Sequence, residues 1–204
     1  DTSQIRLMKQ YQWWLDNVQA KEETFDRWLG DINNVSRKWF RYFIKNYQIK
    51  SVLDVACGTG RDFEGVLANK IEVGYKGVDI SDCLVAKNKD RGMDCVIGNI
   101  EDIPELDNSW ELVYARHIVE HLEYYETAIE EMCRVASKFV LIVHFIPLTE
   151  IDESHITEYE GGQFYENRYG EGKFVDFCSQ FGGVQRIDMN DPIMRQTITL
   201  IKLK

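Results

Sequence analysis

The feature that most constrains this chain is a series of short apolar runs that alternate with amphipathic segments from about residue 50 onward. The runs have the length and the composition of buried strands. They are SVLDVA (51–56), GYKGVDI (74–80), MDCVIG (93–98), WELVYA (110–115) and KFVLIVHF (138–145). Strands separated by helical crossovers lie parallel and are buried on both faces of a sheet. The pattern therefore predicts an α/β fold with a doubly wound, mostly parallel sheet.

The segments between and after these runs have helical spacing. Helices are predicted at about 60–69, 82–90, 118–136 and 171–181. The segment 118–136 is the clearest, because its apolar residues fall on one stripe. These residues are Ile118, Leu122, Tyr125, Ile129, Met132 and Val135.

The C-terminal part of the chain breaks the alternation. VQRIDM (184–189) and TITLIKL (197–203) follow each other across a polar turn that contains Asn190, Asp191 and Pro192. Two consecutive strands with no helix between them indicate an antiparallel pair. Together with the five earlier runs, they predict a Rossmann-like sheet of seven strands that an antiparallel pair closes.

Residues 1–48 differ from the rest and are predicted to form an N-terminal helical arm before a domain at 49–204. Four of the five tryptophans lie in this arm. Its large apolar residues recur at spacings of three or four: Trp13, Trp14, Phe25, Trp28, Leu29, Ile32, Trp39, Phe40 and Phe43. They either pack the arm on the domain or make it a lid over a ligand. Within the domain, residues 146–170 are predicted to be an insertion, mostly a polar loop over 147–170.

Composition excludes several classes of protein. The chain has 204 residues, 44% of them hydrophobic, which suits one globular domain. Its net charge of −10 repels phosphate backbones, so no nucleic-acid partner is predicted. No apolar run reaches the roughly 18–20 residues of a membrane span.

Cysteine usage and the first residues bear on location. The five cysteines are scattered without a CxxC pair, which is typical of reduced thiols, so a cytoplasmic location is predicted. The beginning, DTSQIRLMKQ, has no secretory leader. We therefore expect a domain cut from a longer protein rather than a precursor for export.

The segment VLDVACGTGR (52–61) carries the chemistry. An apolar strand ends there in a glycine turn that opens a helix, the position at which open α/β sheets bind ligands. Gly58 and Gly60 let the backbone approach a ligand closely. About 20 residues on, Asp79 in GVDIS (77–81) ends the second strand, where a carboxylate can accept both hydroxyls of a ribose. This pairing predicts a ligand that contains a nucleoside.

A dinucleotide such as NAD fits this turn poorly. Its GxGxxG fingerprint requires a third glycine, and Phe63 occupies that position. The YxxxK pair of dehydrogenases occurs at Tyr169 and Lys173, but in a glycine-rich stretch that is poor helix, and it is attributed to chance. S-adenosylmethionine is the other nucleoside cofactor that uses this geometry.

Four motifs resemble the class I S-adenosylmethionine-dependent methyltransferases, and most of all their small-molecule branch. They are DVACGTG (54–60), VDIS (78–81), GNIEDIP (98–104) and YARHIVEHL (114–122), and the resemblance covers about residues 50–145. It implies S-adenosylmethionine as the cofactor and S-adenosylhomocysteine as the product. The KPGG turn before the fifth strand and the DPPY-type signature of amino-directed nucleic-acid methyltransferases are both absent.

The resemblance also implies roles for matching residues. Asp54 would orient the turn and the amino-acid end of the cofactor, and Asp79, followed by Ile80, would hold the ribose. Asn99 and Ile100 would read the adenine. Other positions would face the cofactor by backbone, line its methionine part or meet its carboxylate: Ala56, Gly58 and Gly60; Ala115 and Arg116; and Arg37 or Lys38.

Methyl transfer from a sulfonium requires an aligned acceptor and, for a hydroxyl acceptor, a base. Histidines near the ends of the fourth and fifth strands are the candidate bases, namely His117 and His144, followed by His121. A structural role is the alternative for each. The predicted acceptor is a polar small molecule or a saccharide, methylated on oxygen or nitrogen. The polar loop would shape the acceptor pocket, hold a divalent ion, or be solvated.

Two further interpretations remain open. HIVEH (117–121) matches HxxEH, a zinc-peptidase signature with two histidines one helical turn apart and a glutamate that activates water. No third zinc ligand can be identified, so a zinc hydrolase is the less favoured alternative. A non-catalytic subunit that binds S-adenosylmethionine also fits, because methyl transfer needs few dedicated side chains.

Overall fold

The computed structural model describes residues 11–17, 30–159, 162–189 and 195–204. The described residues form nine strands in two sheets. The strands are β1 (Ser51–Val55), β2 (Gly74–Asp79), β3 (Asp94–Ile97), β4 (Trp110–Arg116), β5 (Ala136–His144), β6 (Ile156–Tyr159), β7 (Gly162–Tyr165), β8 (Gly182–Met189) and β9 (Gln196–Leu203). The turn predicted at Asn190, Asp191 and Pro192 lies outside the described residues, as do Phe25, Trp28 and Leu29.

The larger sheet has seven strands in the order β3-β2-β1-β4-β5-β9-β8. Strands β1 to β5 pair in parallel, and β9 is antiparallel to both β5 and β8. This confirms the predicted Rossmann-like, mostly parallel sheet with its C-terminal antiparallel pair. Because the chain runs outward from β1 in one direction and from β4 in the other, the strand order reverses between these two neighbours.

Helices cover both faces of this sheet. They are α1 (Val35–Asn46), α2 (Arg61–Ala68), α3 (Asp82–Asp90), α4 (Glu126–Val135) and α5 (Glu171–Cys178), and residues 11–17 are also helical. Helix α1 begins where the Asn34 side chain accepts a hydrogen bond from the backbone N–H of Ser36. None of the helices in the described residues is long and apolar enough to cross a membrane.

The single helix predicted at 118–136 is wrong in its first third. Residues Val119–His121 form a 3₁₀ turn, and the α-helix begins only at Glu126. The carbonyl of Leu122 accepts hydrogen bonds from the Tyr169 hydroxyl (2.9 Å) and the Asn167 side chain (2.7 Å). Because distant side chains satisfy this carbonyl, it does not need a helical partner. The predicted apolar stripe is nevertheless buried from Leu122 to Val135.

The loop predicted at 147–170 contains regular structure. Strands β6 and β7 pair in an antiparallel hairpin, with Ile156 opposite Tyr165. Half of the residues in its two short strands are polar or glycine, and the segments beside the hairpin are rich in charged residues, which explains why the sequence resembles a polar loop. It is a second, separate sheet at the carboxyl ends of β4 and β5.

The described residues of the arm lie in two different places. Phe40 and Phe43 of α1 are completely buried in a cluster with Leu112, Tyr114 and other residues of the large sheet. The ring of Phe40 stacks on that of Tyr114 at 4.1 Å. Residues 11–17 instead contact the hairpin, since the ring of Trp13 lies 4.7 Å from that of Phe164. Helix α1 is therefore part of the core, whereas 11–17 lies against the insertion.

Candidate functional site

A cavity of about 480 Å³ lies at the carboxyl ends of β1, β2 and β4, where the strand order reverses. Open α/β sheets bind ligands at this position. One side, here called the turn half, follows β1, β2 and β3: Ala56, Gly58, Thr59, Asp79, Ile80, Ser81, Gly98, Asn99 and Ile100. The other side, the aromatic half, is formed by Tyr11, Trp13, Trp14, His117, Ile118, His121, Phe145, Thr157, Tyr159, Phe164 and Glu166.

The turn after β1 leaves its backbone open to the cavity. Ala56 and Gly58 have positive φ angles of 56° and 53°. Glycine tolerates this region readily because it has no Cβ. A Cβ placed on Gly58 would meet no atom within 4 Å. The turn is therefore a cradle that a ligand can approach at Gly58.

Asp79 is fixed next to this turn by backbone N–H groups. Gly58 donates to its Oδ2 at 2.8 Å, and Ser81 donates to its Oδ1 at 2.9 Å. The residue is only 7% exposed. Burial raises the pKa of its carboxyl group, and the backbone hydrogen bonds oppose that shift. Each oxygen retains a second lone pair that can accept a hydroxyl of a ligand in the cavity.

Asn99 and Ile100 line the cavity in a short turn after β3. The side-chain oxygen of Asn99 accepts a hydrogen bond from the N–H of Glu101 at 3.0 Å. The hydroxyl of Tyr11 donates to the Glu101 carboxylate at 2.6 Å. Segment 11–17 is thus tied to the turn half as well as to the hairpin.

Two of the residues implied as cofactor ligands lie beneath the cavity. Asp54 is 2% exposed and accepts a hydrogen bond from the Tyr75 hydroxyl at 2.6 Å. Burial and the neighbouring Asp62 raise the pKa of Asp54 well above its usual range. Ala115 is completely buried in the core. Both residues support the floor of the site and do not line it.

Gly60 and Arg37 also do not line the cavity. Gly60 has a φ of 71° where α2 begins, and a Cβ there would lie 2.7 Å from the side-chain oxygen of Asn88. A glycine is needed at position 60 because the turn packs closely on α3. The guanidinium of Arg37 is buried and pairs with Asp62, with Nε 3.1 Å from Oδ2. The position of Arg37 does not favour the suggested contact with the cofactor.

Arg116 ends β4 and lines the cavity between its two halves, and His117, of the aromatic half, follows it directly. The guanidinium of Arg116 donates to the hydroxyl of Ser36. His117 has a φ of 57°, and its Nε2 lies 2.7 Å from the amide nitrogen of Gln196. Burial, followed by the charge of Arg116, lowers the pKa of His117 well below its usual range. His117 is therefore uncharged at neutral pH.

His121 lies at the centre of the aromatic half. Its Nδ1 is 2.7 Å from the carbonyl oxygen of Tyr165. Because a carbonyl only accepts, Nδ1 carries the proton and the neutral ring has its lone pair on Nε2. Burial lowers the pKa of His121, although the Tyr165 carbonyl opposes the shift. The aromatic rings of Trp14 and Phe145 lie 4.6 and 5.2 Å from its ring.

The position of His144 argues against its predicted role as a base. Its side chain is completely buried and does not line the cavity. Its Nε2 lies 3.2 Å from the Thr199 hydroxyl, and its Nδ1 lies 3.5 Å from the carboxylate of Glu120. That carboxylate accepts hydrogen bonds from the N–H groups of Phe145 and Ile146. His144 and Glu120 thus hold the loop after β5 from behind.

Sequence reasoning missed most of the aromatic half. Trp13 and Trp14 belong to the aromatic pattern of the arm, which favoured packing on the domain and kept a lid over a ligand as the alternative. Tyr159, Phe164 and Glu166 lie in the insertion, whose polarity suggested a wall of the acceptor pocket without singling out Phe164 or Glu166. The usable signals were the concentration of tryptophan in the arm and the polarity of the insertion.

The HxxEH motif does not form a zinc-binding helix. His117 lies in a turn and His121 in a 3₁₀ helix, and Glu120 faces the loop after β5. Within the described residues, no group of three or more His, Cys, Asp or Glu side chains could hold a metal ion. The zinc interpretation therefore has no geometric support.

Two carboxylates of the insertion are paired instead with basic side chains. Asp152 lies 2.6 Å from Nζ of Lys173, and Glu153 lies 3.3 Å from the guanidinium of Arg168. The suggested divalent ion is therefore not supported at these carboxylates.

Comparison with known proteins agrees with this geometry. Residues 53–142 match the sequence model of a family described as a methyltransferase domain. The chain is 32% identical over 102 residues to ajmaline N-methyltransferase of Rauvolfia serpentina, covering 46% of this chain and 35% of that protein. It is 34% identical over 116 residues to the ubiquinone/menaquinone biosynthesis C-methyltransferase UbiE of Stenotrophomonas maltophilia, covering 50% of this chain and 45% of that protein. The matches thus span less than half the length of these relatives.

A solved structure extends the likeness to the whole chain. Magnesium protoporphyrin IX methyltransferase from Synechocystis PCC 6803, with bound S-adenosylhomocysteine, has a TM-score of 0.66 at 12% identity and is covered completely by this chain. At this identity the likeness shows the fold alone.

Residues 53–142, which are less than half of the chain, thus match a methyltransferase domain, and the fold of the whole chain matches that of a methyltransferase whose structure contains S-adenosylhomocysteine. S-adenosylmethionine is the cofactor of this family. The turn half fits it, because Gly58 leaves room for a ligand and the carboxylate of Asp79 is aimed into the same space.

Proposed function

We propose that this protein transfers the methyl group of S-adenosylmethionine to a small-molecule acceptor bound in the aromatic half of the cavity. The observation that carries the proposal is the carboxylate of Asp79, which two backbone N–H groups fix beside an open glycine turn. A buried carboxylate with lone pairs directed at a cavity suits the two hydroxyls of a ribose.

The other residues of the turn half would complete the cofactor site. Asn99 and Ile100 would contact the adenine by side chain and by backbone N–H. The guanidinium of Arg116 would meet the carboxylate at the methionine end, a role that Arg37 cannot take while it pairs with Asp62. When bound, the cofactor supplies a methyl group on a positively charged sulfur, which is displaced in line by the acceptor.

The aromatic half supports an acceptor with a large apolar or aromatic body. Its wall includes the rings of Trp13, Trp14, Tyr159 and Phe164, which offer apolar faces and few hydrogen-bond partners. A saccharide would need many polar partners there. We therefore propose a small-molecule acceptor and favour an apolar body over the sugar suggested by the sequence.

His121 is the proposed base. Its Nε2 has the lone pair, because Nδ1 is committed to the carbonyl of Tyr165. A neutral imidazole in the cavity can take a proton from an acceptor O–H or N–H, and it can be oriented for this by the same hydrogen bond. His117 is the second candidate, since it also lines the cavity and is uncharged at neutral pH.

Segment 11–17 and the hairpin β6–β7 would act together as the roof of the acceptor site. The ring of Trp13 contacts both Phe164 and Tyr159 of the hairpin, with centroids 4.7 and 6.0 Å apart. This division differs from a lid made of residues 1–48, because α1 lies in the core.

Titration of the protein with S-adenosylhomocysteine tests the proposal. We expect calorimetry to show that the wild type binds S-adenosylhomocysteine and does not bind NAD comparably. Asp79→Asn should lower the affinity for S-adenosylhomocysteine by about 10- to 100-fold, because the charge-assisted hydrogen bonds are weakened. Asp82→Asn is the matched control, since Asp82 is exposed at the start of α3 and does not line the cavity.

Chemical denaturation without ligand establishes that the variants are folded. Tight binding of NAD with none of S-adenosylhomocysteine would overturn the proposal. So would an affinity for S-adenosylhomocysteine that a folded Asp79→Asn variant retains in full.

A further inference from the structure

The aromatic half carries a carboxylate among its rings. Glu166 follows β7 and lines the cavity beside the rings of the hairpin and of segment 11–17. Its backbone N–H donates to the carbonyl of His155 at 2.9 Å, which fixes the residue in place. The hydroxyl of Thr157 donates to Oε2. Its other oxygen, Oε1, accepts no hydrogen bond from the residues that the structure describes.

The rings around this carboxylate form a continuous wall. The ring of Trp13 lies 4.9 Å from that of Trp14 and 4.7 Å from that of Phe164, and the ring of Trp14 lies 5.4 Å from that of Phe164. The faces of such rings are negative and attract cations, most strongly for tryptophan. Trp13 and Trp14 contribute two of these rings.

Within the described residues, no basic side chain forms an ion pair with Glu166. The cavity is also lined by Arg116, which donates to Ser36, and by two histidines that burial leaves uncharged. A half-buried carboxylate is stabilised by an opposite charge, and among the described residues that line the cavity no basic side chain pairs with Glu166.

We infer that the acceptor carries a basic nitrogen, attached to an apolar or aromatic body, and that it binds as an ammonium ion between Glu166 and the rings of Trp13, Trp14 and Phe164. The inference rests on the proposed function and names its substrate class. An alcohol or a neutral ring would leave the carboxylate of Glu166 without a cationic partner.

The same arrangement accounts for the proton. An ammonium nitrogen has no lone pair, so one proton must leave before the methyl group can be accepted. Nε2 of His121 takes that proton, and the neutral nitrogen then forms its new N–C bond as the electron pair of the C–S bond returns to sulfur. The methylated nitrogen carries the positive charge that sulfur loses, so charge is conserved. The product is again a cation that Glu166 can pair with.

The test uses a cation that cannot be methylated. Benzyltrimethylammonium and its uncharged isostere neopentylbenzene have nearly the same shape, and both are titrated into the protein saturated with S-adenosylhomocysteine. We expect the cation to bind about tenfold more tightly than the isostere, as attraction to desolvated aromatic faces and a carboxylate requires. Quenching of tryptophan fluorescence gives a second readout, because Trp13 and Trp14 line the cavity.

Two variants of the hairpin separate charge from folding. Glu166→Gln is expected to weaken the cation about tenfold and to leave the isostere unchanged, because it removes the charge and keeps the shape. Glu158→Gln is the matched control, since Glu158 is exposed on β6, pairs with Gln163 and does not line the cavity. It should bind both probes as the wild type does.

The outcomes distinguish the two proposals. If the isostere binds as tightly as the cation, or if Glu166→Gln leaves the cation unaffected, the amine inference is wrong while S-adenosylhomocysteine still binds. If S-adenosylhomocysteine itself fails to bind the wild type, the proposed function fails, whatever the two probes do.

Discussion

At the scale of single residues, backbone groups determine what the side chains of this site can do. The carbonyl of Tyr165 fixes the proton of His121 on Nδ1, and the N–H groups of Gly58 and Ser81 orient the carboxylate of Asp79. Neither arrangement depends on a second titratable group. The positions of the two side chains are therefore set by the fold before any ligand binds.

The two cavity histidines predict a pH dependence of stability. Burial lowers the pKa of both His117 and His121, so below about pH 6.5 the unfolded chain binds more protons than the folded one. The free energy of unfolding should therefore fall as the pH falls from 6.5, by at most about 1.4 kcal/mol per pH unit for each histidine. Above that pH, the histidines should add no slope.

Denaturation with urea between pH 5 and 8 measures this slope. The buried carboxyl group of Asp54, with its raised pKa, contributes a slope of opposite sign, so the comparison is between the wild type and His121→Gln. The variant should have a smaller loss of stability on acidification. His155→Gln, at an exposed position, should behave as the wild type. An unchanged slope in His121→Gln would contradict the assignment.

At the scale of secondary-structure elements, the sequence pattern predicted the strands whose formation depends on their own residues. Strands β1, β4 and β5 are continuous apolar runs because both faces of the sheet are covered, and their places follow from sequence alone. The 3₁₀ turn after β4 could not be predicted, because the carbonyl of Leu122 is satisfied by Asn167, 45 residues further along the chain. The hairpin was missed for another reason: its strands pair with each other over a short stretch of sequence, but the polar composition of that stretch is typical of a loop.

The same difference between local and tertiary signals applies to the residues of the candidate site. The glycine turn and Asp79 lie next to strand ends, and their spacing revealed them. The aromatic half brings together segment 11–17 and the hairpin, which are far apart in sequence, and no spacing relates them. His144 was a reasonable candidate from its place at the end of β5, but the orientation of its side chain, toward Thr199 and Glu120, is a tertiary property.

Asn167 holds the hairpin to the loop after β4 through hydrogen bonds of its side chain. Its side chain donates to the carbonyl of Leu122 at 2.7 Å and accepts from the N–H of His155 at 3.0 Å, while the residue is 2% exposed. Asn167→Ala leaves both groups without this partner, and we expect the free energy of unfolding to fall by about 2 kcal/mol. Urea denaturation measures the change, and hydrogen exchange of 156–159 and 162–165 should become faster.

Gln163→Ala serves as the reference for this prediction. Gln163 lies on the same hairpin but is exposed and bonds only to the side chain of Glu158 at 2.9 Å. Its removal should change stability by less than about 0.5 kcal/mol. Equal effects of the two substitutions would mean that Asn167 does not anchor the hairpin.

At the scale of the whole molecule, the buried cluster that contains Phe40 shares no residue with the wall of the cavity. Phe40 is completely buried in the cluster that joins α1 to the sheet, and it does not line the cavity. Phe40→Ala should lower the free energy of unfolding by about 3–5 kcal/mol, through lost burial and the cavity left behind. S-adenosylhomocysteine at 100 times its dissociation constant should raise the free energy of unfolding of the wild type by about 2.7 kcal/mol.

These two effects should add, because distant sites without shared partners are independent. Denaturation of the wild type and of Phe40→Ala, each with and without S-adenosylhomocysteine, completes the cycle. If S-adenosylhomocysteine no longer raised the free energy of unfolding of the folded Phe40→Ala variant, the core and the cavity would be coupled.

The match to the methyltransferase family ends at residue 142, whereas Trp13, Trp14, Tyr159, Phe164 and Glu166 all lie beyond its limits. The matched portion contains the whole turn half, whereas the tryptophans, the hairpin rings and Glu166 come from segments on either side of it. We expect substitutions in those flanking segments to change the choice of acceptor and to leave the turn half as it is. Such a plan allows one ancestral scaffold to diversify its chemistry, as relatives that methylate nitrogen and carbon already illustrate.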